Sequence, residues 1–276
     1  MTSPKGTAAI TGAAGGLGSA YARALASRGY DLFLTDRASD AVATLASELQ
    51  QAAHVHVDVV DADLTIDADI ERIETHLAGM NELTLLINNA GFGTFSLFHE
   101  AVLARQLDMV SVHDLATMRF CHAVLPGMIA RKAGGIINVA SAAAFMRFPR
   151  DATYIGSKSF LVAFTECLAI ELANSGVKLQ AFCPAWLRTG FSASEDFRRA
   201  AYTSPVPAFL FISPERAVAS SLCAIEKGGR VTLTPTVRAR LATSLIGSRL
   251  GLAAFGLIRQ RRTKRNASSG RDSNIP

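Results

Sequence analysis

The sequence predicts a single doubly wound α/β domain in which a seven-stranded parallel sheet is flanked by helices. Three observations predict it. Seven short apolar runs have the composition of buried strands, the longer segments between them carry apolar residues three and four positions apart, and no internal repeat or linker divides the body of the chain. Strands that alternate with helices of this length form βαβ units with right-handed crossovers. The 276 residues are enough for one such domain with an ordinary core.

The predicted elements alternate from residue 7 to residue 233, except that residues 190–213 lack steady periodicity and are predicted to form a mobile loop or short helices. Leu17, Tyr21 and Leu25, for example, have the spacing of the buried face of a helix between the first two strands. The predicted strands are residues 7–10, 31–35, 55–59, 83–87, 135–139, 178–182 and 230–233. We therefore assign residues 1–236 to the domain, and residues 237–276 to a basic C-terminal helix followed by a disordered tail.

The net charge of +5 is concentrated at the C-terminal end. From Arg238 onward there are nine Lys and Arg residues and one acidic residue, whereas the first 237 residues contain nineteen basic and twenty-two acidic side chains. The body is mildly acidic, which argues against nucleic-acid binding. The four cysteines are widely spaced and form no C-x-x-C pair, as is typical of reduced thiols, and no metal site is predicted.

The N-terminus reaches strand-like sequence by residue 7, which leaves no room for a signal peptide, and we expect a cytoplasmic protein. The C-terminal stretch raises a second expectation. Leu241, Leu245 and Leu252 have approximately helical spacing, with arginines between them. A basic amphipathic helix of this kind either contacts an anionic membrane surface peripherally or packs against the domain or a second subunit.

A glycine-rich turn, Thr11-Gly12-Ala13-Ala14-Gly15-Gly16-Leu17-Gly18, joins the first predicted strand to the first helix. Glycines at such a turn let the backbone approach a pyrophosphate, and the amides at the helix N-terminus face its negative charge. The spacing is G-x-x-x-G-x-G, and no Gly-Lys-Ser/Thr follows as it would in a P-loop. The turn therefore predicts a dinucleotide site of the Rossmann type, with Ala14 and Leu17 among its residues.

Asp36 ends the second predicted strand, about twenty residues after the glycines. A carboxylate at this place accepts hydrogen bonds from the ribose hydroxyls of NAD and repels the 2′-phosphate of NADP. The adjacent Arg37 could instead pair with that phosphate. We favour NAD, and NADP remains open.

Further motifs follow the later strands in order. Asp63 follows the third strand, Asn88-Asn89-Ala90-Gly91 the fourth and Ser141 the fifth, and Tyr154 and Lys158 stand four residues apart. With these motifs and the glycine turn, residues 6–235 closely resemble the short-chain dehydrogenase/reductase family. The resemblance implies an enzyme that transfers a hydride between NAD(P) and a carbonyl or secondary-alcohol carbon, and we expect a homo-oligomer.

The resemblance also implies roles in cofactor binding. Asp63, with Leu64 beside it, would hold the adenine, and Asn88 would brace the central strand. The backbone of Asn89, Ala90 and Gly91 would flank the nicotinamide-side ribose. The segment that begins at Pro184 would hold the nicotinamide carboxamide through Leu187 and Thr189.

The proton chemistry can be argued from Tyr154, Lys158 and Ser141 themselves. Residues four apart on a helix share one face. A tyrosine with a pKa near 10 is a poor base at neutral pH, but a neighbouring ammonium stabilises its phenolate. The hydroxyl of Ser141 would polarise a substrate carbonyl. Lys158 would also bind the nicotinamide ribose.

Two departures from the family pattern concern His113 and Ala185. By the resemblance, His113 occupies the place of an asparagine that holds a water between the lysine and solvent. Because histidine binds water and titrates near neutrality, a pH-tuned version of this relay is one expectation, and disturbed local packing is another. Ala185 replaces a usual glycine. A catalytically weak dinucleotide-binding sensor or scaffold therefore stays open as the alternative function.

Apolar side chains in the segments around the predicted site favour a small apolar ketone or alcohol as the substrate. These residues are Phe92, Phe145, Met146, Phe148, Trp186 and the aromatic residues between positions 191 and 211.

Overall fold

The computed structural model describes residues 5–147, 149–187 and 211–236. Its strands are β1 Thr7–Thr11, β2 Asp31–Asp36, β3 Val57–Asp61, β4 Leu83–Asn88, β5 Gly134–Val139, β6 Val177–Phe182, β7 Trp186–Leu187, β8 Phe211–Ile212 and β9 Thr232–Leu233. Its α-helices are α1 Gly16–Ala26, α2 Ser39–Ala53, α3 Asp67–Ala78, α4 Leu103–Val110, α5 Ala116–Arg131, α6 Ala152–Glu171 and α7 Pro214–Glu226. A π-helical turn, Ser111–Leu115, joins α4 to α5, and short 3-10 helices span Phe98–Glu100 and Ala142–Phe145.

The main sheet has seven parallel strands in the order β3-β2-β1-β4-β5-β6-β9, which confirms the predicted fold class and all seven predicted strands. The third strand begins and ends two residues later than predicted. The chain order reverses between β1 and β4. Open parallel sheets bind ligands at the carboxyl ends of strands at such a reversal, and the glycine turn and the Asn88–Gly91 segment both lie there.

Helices cover both faces of the sheet because side chains alternate along each strand. Ala8 and Ile10 of β1 belong to one core cluster, which includes residues of α1, α2 and α7. Ala9, between them, belongs to the opposite cluster, which includes residues of α3 and α5. Each strand of the centre is thus apolar on both faces, as expected for a parallel sheet buried between two helical layers.

The short strands β7 and β8 pair in parallel, with Trp186 beside Phe211 and Leu187 beside Ile212. The sequence did not predict this pair. Several expectations, including those for Phe148, Thr189 and the C-terminal stretch 237–276, lie outside the described residues. None of the helices in the described ranges is long and apolar enough to cross a membrane.

Candidate active site

The glycine turn brings the N-terminus of α1 into close contact with the end of β1. Gly12 has a φ of +64°, and a Cβ there would lie 2.8 Å from the Cα of Ala90. A Cβ on Gly18 would lie 2.1 Å from the carbonyl oxygen of Gly12. Both distances are far below van der Waals contact, so these two positions require glycine for the turn to close.

The side chain of Asn89 fastens this turn to the end of β4. Its Nδ2 donates to the carbonyl oxygens of Thr11 at 3.0 Å and Gly12 at 2.9 Å. In return, the backbone N–H groups of Asn89 and Ala90 both donate to Oγ1 of Thr11, each at 3.0 Å. The sequence analysis gave Asn89 only a backbone role; its amide also sets the shape of the turn.

The turn fits a dinucleotide pyrophosphate. Gly15, the N-cap of α1, has no side chain to cap the helix, and no acidic residue stands in the first turn. The uncapped amides and the positive end of the helix dipole at this N-terminus can therefore bind the negative charge of a pyrophosphate. Gly16 and Leu17 belong to this first turn.

Asp36 lies beside the turn at the end of β2. Its Oδ2 accepts from the N–H of Ala14 at 2.9 Å, and its Oδ1 accepts from the N–H of Ala38 at 3.0 Å. The carboxylate is thereby fixed next to the phosphate-binding loop, with lone pairs left for further donors. Arg37, the next residue, is exposed.

The third strand delivers Asp63 and Leu64 to the same edge of the sheet, since Asp36 pairs with Asp61 across β2 and β3. Oδ1 of Asp63 accepts from the N–H of Thr65 at 3.0 Å. Leu64 is buried. This edge can therefore hold the adenosine half of a dinucleotide whose pyrophosphate lies over the glycine turn.

Asn88 takes the bracing position that the resemblance implies. Its Nδ2 donates to Oδ1 of Asn138 on β5 at 2.9 Å, and Nδ2 of Asn138 donates to Oγ1 of Thr165 on α6 at 2.9 Å. All three side chains are buried. This chain of hydrogen bonds ties β4 and β5 to the helix that carries Tyr154 and Lys158.

The structure brings Ser141, Tyr154 and Lys158 together. Ser141 caps the 3-10 helix after β5, accepts from the N–H of Ala143 at 3.1 Å and is hydrogen-bonded through its side chain to Tyr154. The backbone donor occupies one acceptor position of the Ser141 hydroxyl and leaves its proton for an oxygen in the site. Nζ of Lys158 lies 5.9 Å from the centre of the Tyr154 ring and donates to the carbonyl oxygen of Val139 at 2.9 Å.

Burial shifts the pKa values of Tyr154 and Lys158 in the directions that favour the uncharged side chains. It raises the pKa of Tyr154 to about 12, while the hydrogen bond from Ser141 opposes the rise and the charge of Asp151 adds to it. Burial lowers the pKa of Lys158 to about 8, against the opposing effect of Asp114. Charge on either side chain therefore depends on partners inside the site.

His113 does not have the water-binding role expected from the sequence. Its Nε2 accepts from the N–H of Phe92 at 3.0 Å, and its Nδ1 lies 2.9 Å from Oγ of Ser157, which itself donates to the carbonyl oxygen of Tyr154 at 3.0 Å. Ser157 has thus used its proton, so Nδ1 of His113 must donate. Both ring nitrogens are taken by protein groups, and the neutral tautomer is fully satisfied.

The electrostatics also argue against a pH-tuned relay through His113. Burial and the nearby charge of Lys158 hold the pKa of His113 well below its usual value. The ring is accommodated because residue 91 is glycine: a Cβ there would lie 2.7 Å from Nε2 of His113. His113 is a neutral side chain that links the segment after β4 to the second turn of α6.

We expect His113 to make the protein sensitive to acid. Its pKa is depressed in the folded state, so the stability that it contributes is present above the unfolded pKa near 6.5 and is lost as pH falls below it. Loss of the free energy of unfolding should approach about 1.4 kcal/mol per pH unit from this group. When urea unfolding is measured at several pH values between 7 and 5, the free energy of unfolding should fall less steeply with pH in His113→Asn than in the wild type. His99→Asn, at an exposed position, is the control and should keep the wild-type slope.

The sequence analysis missed two acidic residues near these side chains. Asp114 follows His113 in the π-helical turn and acts electrostatically on Lys158. Asp151, the buried N-cap of α6, acts on Tyr154. Each is adjacent or close in sequence to a residue that was singled out, but nothing in the spacing indicated which way its side chain points.

The predicted apolar lining is only partly accessible. Phe92 lies edge-on to His113, with the guanidinium of Arg105 4.6 Å from the centre of its ring. Phe145 and Trp186 are partly exposed, whereas Met146 is 3% exposed and belongs to the interior. Pro184 is also buried, and its carbonyl oxygen accepts from the N–H of Ala142, next to Ser141, at 2.9 Å.

Comparison with known proteins identifies the family. The sequence model of the short chain dehydrogenase family matches residues 6–199 of the chain. The chain belongs to the short-chain dehydrogenase/reductase family. The members of this family are oxidoreductases that use NAD(P) and act on small carbonyl or alcohol substrates. The glycine turn, the Asn89 side chain that fastens it to β4, and Asp36 fit such a cofactor.

Two curated relatives are similar over most of the domain. Inactive hydroxysteroid dehydrogenase-like protein 1 of Homo sapiens is 29% identical over 203 residues, which are 72% of this chain and 62% of that protein. Very-long-chain 3-oxoacyl-CoA reductase of Pyrenophora tritici-repentis is 35% identical over 185 residues, which are 64% of this chain and 54% of that protein. The chain therefore spans less than two thirds of the length of either relative.

Solved structures match more completely. The short-chain dehydrogenase of Sphingobium yanoikuyae in complex with NADPH has a TM-score of 0.77 and 30% identity, and the match covers 90% of this chain and 95% of that one. The bulky-bulky ketone specific alcohol dehydrogenase of Comamonas testosteroni has a TM-score of 0.75 and 25% identity, with 98% and 97% covered. The shared architecture therefore extends over the whole domain.

Proposed function

We propose that the protein is an NAD(P)-dependent oxidoreductase that interconverts an apolar ketone and the corresponding secondary alcohol, with Tyr154 as the general acid and base. The observation that carries the proposal is the grouping of three side chains from two segments: Ser141, which follows β5, is hydrogen-bonded to Tyr154 of α6, and Lys158 of the same helix lies 5.9 Å from the tyrosine ring. They lie at the carboxyl end of β5, beside the turn that fits the dinucleotide.

NAD(P), held by the glycine turn and Asp36, would supply the hydride for reduction and accept it for oxidation. Tyr154 gives its phenolic proton to the substrate oxygen during reduction and takes it back during oxidation. Ser141 donates a hydrogen bond to the same oxygen and stabilises the negative charge that develops there. The ammonium of Lys158, 5.9 Å from the centre of the Tyr154 ring, favours the phenolate over the neutral phenol.

The proposed substrate class rests on the accessible apolar side chains and on the relatives. Phe145 and Trp186 are partly exposed beside Ser141 and the β7 strand. One similar protein is named as specific for bulky-bulky ketones and another as a reductase of very-long-chain 3-oxoacyl-CoA, whose acyl chain is apolar. A bulky or long-chain ketone is therefore the first substrate class to examine.

The direct test is a panel of ketones and secondary alcohols, from short-chain to steroid-sized, run with both cofactors. We expect absorbance changes at 340 nm with at least one bulky member and little with acetone or propan-2-ol. Absence of turnover with every member, by a protein that binds NAD(P)H, would contradict the enzyme proposal.

That outcome would favour a second candidate, a dinucleotide-binding sensor or scaffold of low activity. One observation supports it: a relative at 29% identity is named an inactive hydroxysteroid dehydrogenase-like protein. The hydrogen bond between Ser141 and Tyr154, with Lys158 5.9 Å from the tyrosine ring, supports the enzyme instead. A sensor would bind cofactor and change its oligomeric state or partner affinity without consuming it.

For the cofactor, we expect NADH to bind about tenfold more tightly than NADPH, because the fixed carboxylate of Asp36 repels a 2′-phosphate. Quenching or enhancement of reduced-nicotinamide fluorescence gives both dissociation constants. Asp36→Asn is the matched variant, since its amide oxygen can still accept from the N–H of Ala14, and it should narrow the difference. The Sphingobium neighbour holds NADPH. A tenfold preference for NADPH here would refute the role given to Asp36.

We also propose a homo-oligomer in the cytoplasm. Support comes from large apolar side chains on α4 and α5 that are exposed in the single chain, among them Leu103 at 60%, Leu107 at 60% and Met118 at 37%. Analytical ultracentrifugation of wild type and of Leu107→Glu tests this, and a wild-type monomer would refute it. Peripheral membrane contact through residues 237–276 stays a prediction, testable by liposome co-sedimentation with and without that stretch.

A further inference from the structure

Asp114 has an environment that its place in the sequence did not suggest. One of its carboxylate oxygens, Oδ1, is shielded from solvent and has no hydrogen-bond partner among the described residues. Buried polar atoms without partners are uncommon and are usually explained by a functional interaction. The electrostatic partner that acts on this carboxylate is Lys158.

The π-helical turn brings the backbone around Asp114 close to α6. Nδ1 of His113 lies 2.9 Å from Oγ of Ser157. Asp114 follows His113 in the turn, and Lys158 follows Ser157 in α6. The hydrogen bond of His113 therefore holds together the two segments that carry Asp114 and Lys158.

Other charged groups on the neighbouring elements have partners of their own. On α4, Arg105 pairs with Asp108 at 2.9 Å, and on α5, Arg119 pairs with acidic residues of α3. His113 is neutral, and burial raises the pKa of the Cys183 thiol near Lys158 to about 12, so that it too is uncharged. On α6, the ring of Tyr154 lies 5.9 Å from Nζ of Lys158, and Asp151, the buried N-cap of the helix, acts on Tyr154.

We propose that Asp114 is a positioning residue whose carboxylate is the counter-charge that keeps Lys158 protonated in its buried site. An ammonium removed from water is stabilised by an opposite charge nearby, and it releases its proton more easily when that charge is removed. In the reductive direction, a protonated Lys158 stabilises the phenolate that Tyr154 leaves behind. This last step rests on the proposed function, whereas the pairing of Asp114 with Lys158 does not.

The directions of the two pKa changes define the pH range of the pair. Burial raises the pKa of Asp114 to about 6, and burial lowers that of Lys158 to about 8. Both groups are charged between these values. Below the range the carboxylate is protonated, and above it the ammonium is lost.

The primary test measures the protonation of Lys158 without turnover. In protein labelled with ¹³C at lysine Cε, the NMR signal of Lys158 is assigned by its absence in Lys158→Arg and followed through a pH titration. Asp114→Asn should lower its titration midpoint by about one pH unit. Asp114→Glu, which keeps the charge, should restore most of the shift. Asp67→Asn, which removes an exposed carboxylate that pairs with Arg119, is the control and should leave the midpoint in place.

A midpoint in Asp114→Asn within about 0.2 units of the wild type would overturn the proposal. The reductive pH profile then tests the step that rests on the function. In Asp114→Asn, the alkaline limb of the kcat/KM profile should move to lower pH by the same amount as the NMR titration midpoint. If the NMR midpoint shifts and the alkaline limb does not, the link between Lys158 and Tyr154 is rejected. If no carbonyl substrate is turned over at all, the proposed function fails, while the NMR titration still decides the pairing.

Discussion

Replacing Tyr154 by phenylalanine is expected to lower turnover by about 10³-fold or more, while the dissociation constant for NADH stays within about twofold of the wild type. The variant removes the proton donor but retains the ring, which contacts His113 edge-on at 5.8 Å between centres. Steady-state rates with the best substrate of the panel, together with fluorescence titration of the cofactor, measure both effects.

Tyr30→Phe provides the matched control for this prediction. Tyr30 is partly buried next to the Arg28–Glu226 ion pair, far from Ser141 in the fold, so the loss of its hydroxyl should leave turnover unchanged. Activity of Tyr154→Phe equal to that of Tyr30→Phe would show that the proton comes from another group, and the assignment of Tyr154 would be abandoned.

Gly18→Ala is expected to have the second large effect, because its new Cβ would lie 2.1 Å from the backbone oxygen of Gly12 and 2.9 Å from the Cα of Ala13. Both are backbone atoms, so the overlap cannot be relieved by a rotamer change. We expect the free energy of unfolding to fall by about 2–4 kcal/mol. We also expect the affinity for NADH to fall by about 100-fold, because the turn must open away from the pyrophosphate.

Gly79→Ala is the comparison for this substitution. Gly79 caps α3 with a φ of −79°, and the nearest atom to a new Cβ is the carbonyl oxygen of His76 at 3.5 Å. Its unfolding free energy should stay within about 0.5 kcal/mol of the wild type. If Gly18→Ala has the same free energy of unfolding and the same affinity for NADH as Gly79→Ala, cofactor binding does not require the closed turn.

Sequence periodicity was sufficient for the fold because each strand of the central sheet is covered by helices on both faces. Ala8, Ala9 and Ile10 are all buried, which gives the short continuous apolar run by which such a strand is recognised. The glycine turn was equally legible, since the close approach of Gly18 to Gly12 admits no other residue. The ends of strands were less certain, and β7 and β8, with two residues each, are too short to produce a pattern.

The environments of His113 and Asp114 could not be predicted, for a different reason. Whether an imidazole binds water or bridges two backbone segments depends on whether Ser157 and the N–H of Phe92 lie within 3 Å of its nitrogens, and these groups are distant in sequence. The role assigned to His113 from the family pattern assumed that a substituted side chain keeps the partners of the original one. Asp114 was overlooked because its position in the sequence does not show that it acts on the buried Lys158.

The pairing of β7 with β8 also bears on how the enzyme could be re-engineered. Trp186 and Leu187 lie directly beside Phe211 and Ile212, so the two ends of the intervening stretch 188–210 are held at neighbouring points by backbone hydrogen bonds. Because these ends are fixed, segments of other lengths can be exchanged between Leu187 and Phe211 at a small entropic cost, since the entropy of closing a chain segment grows only slowly with its length.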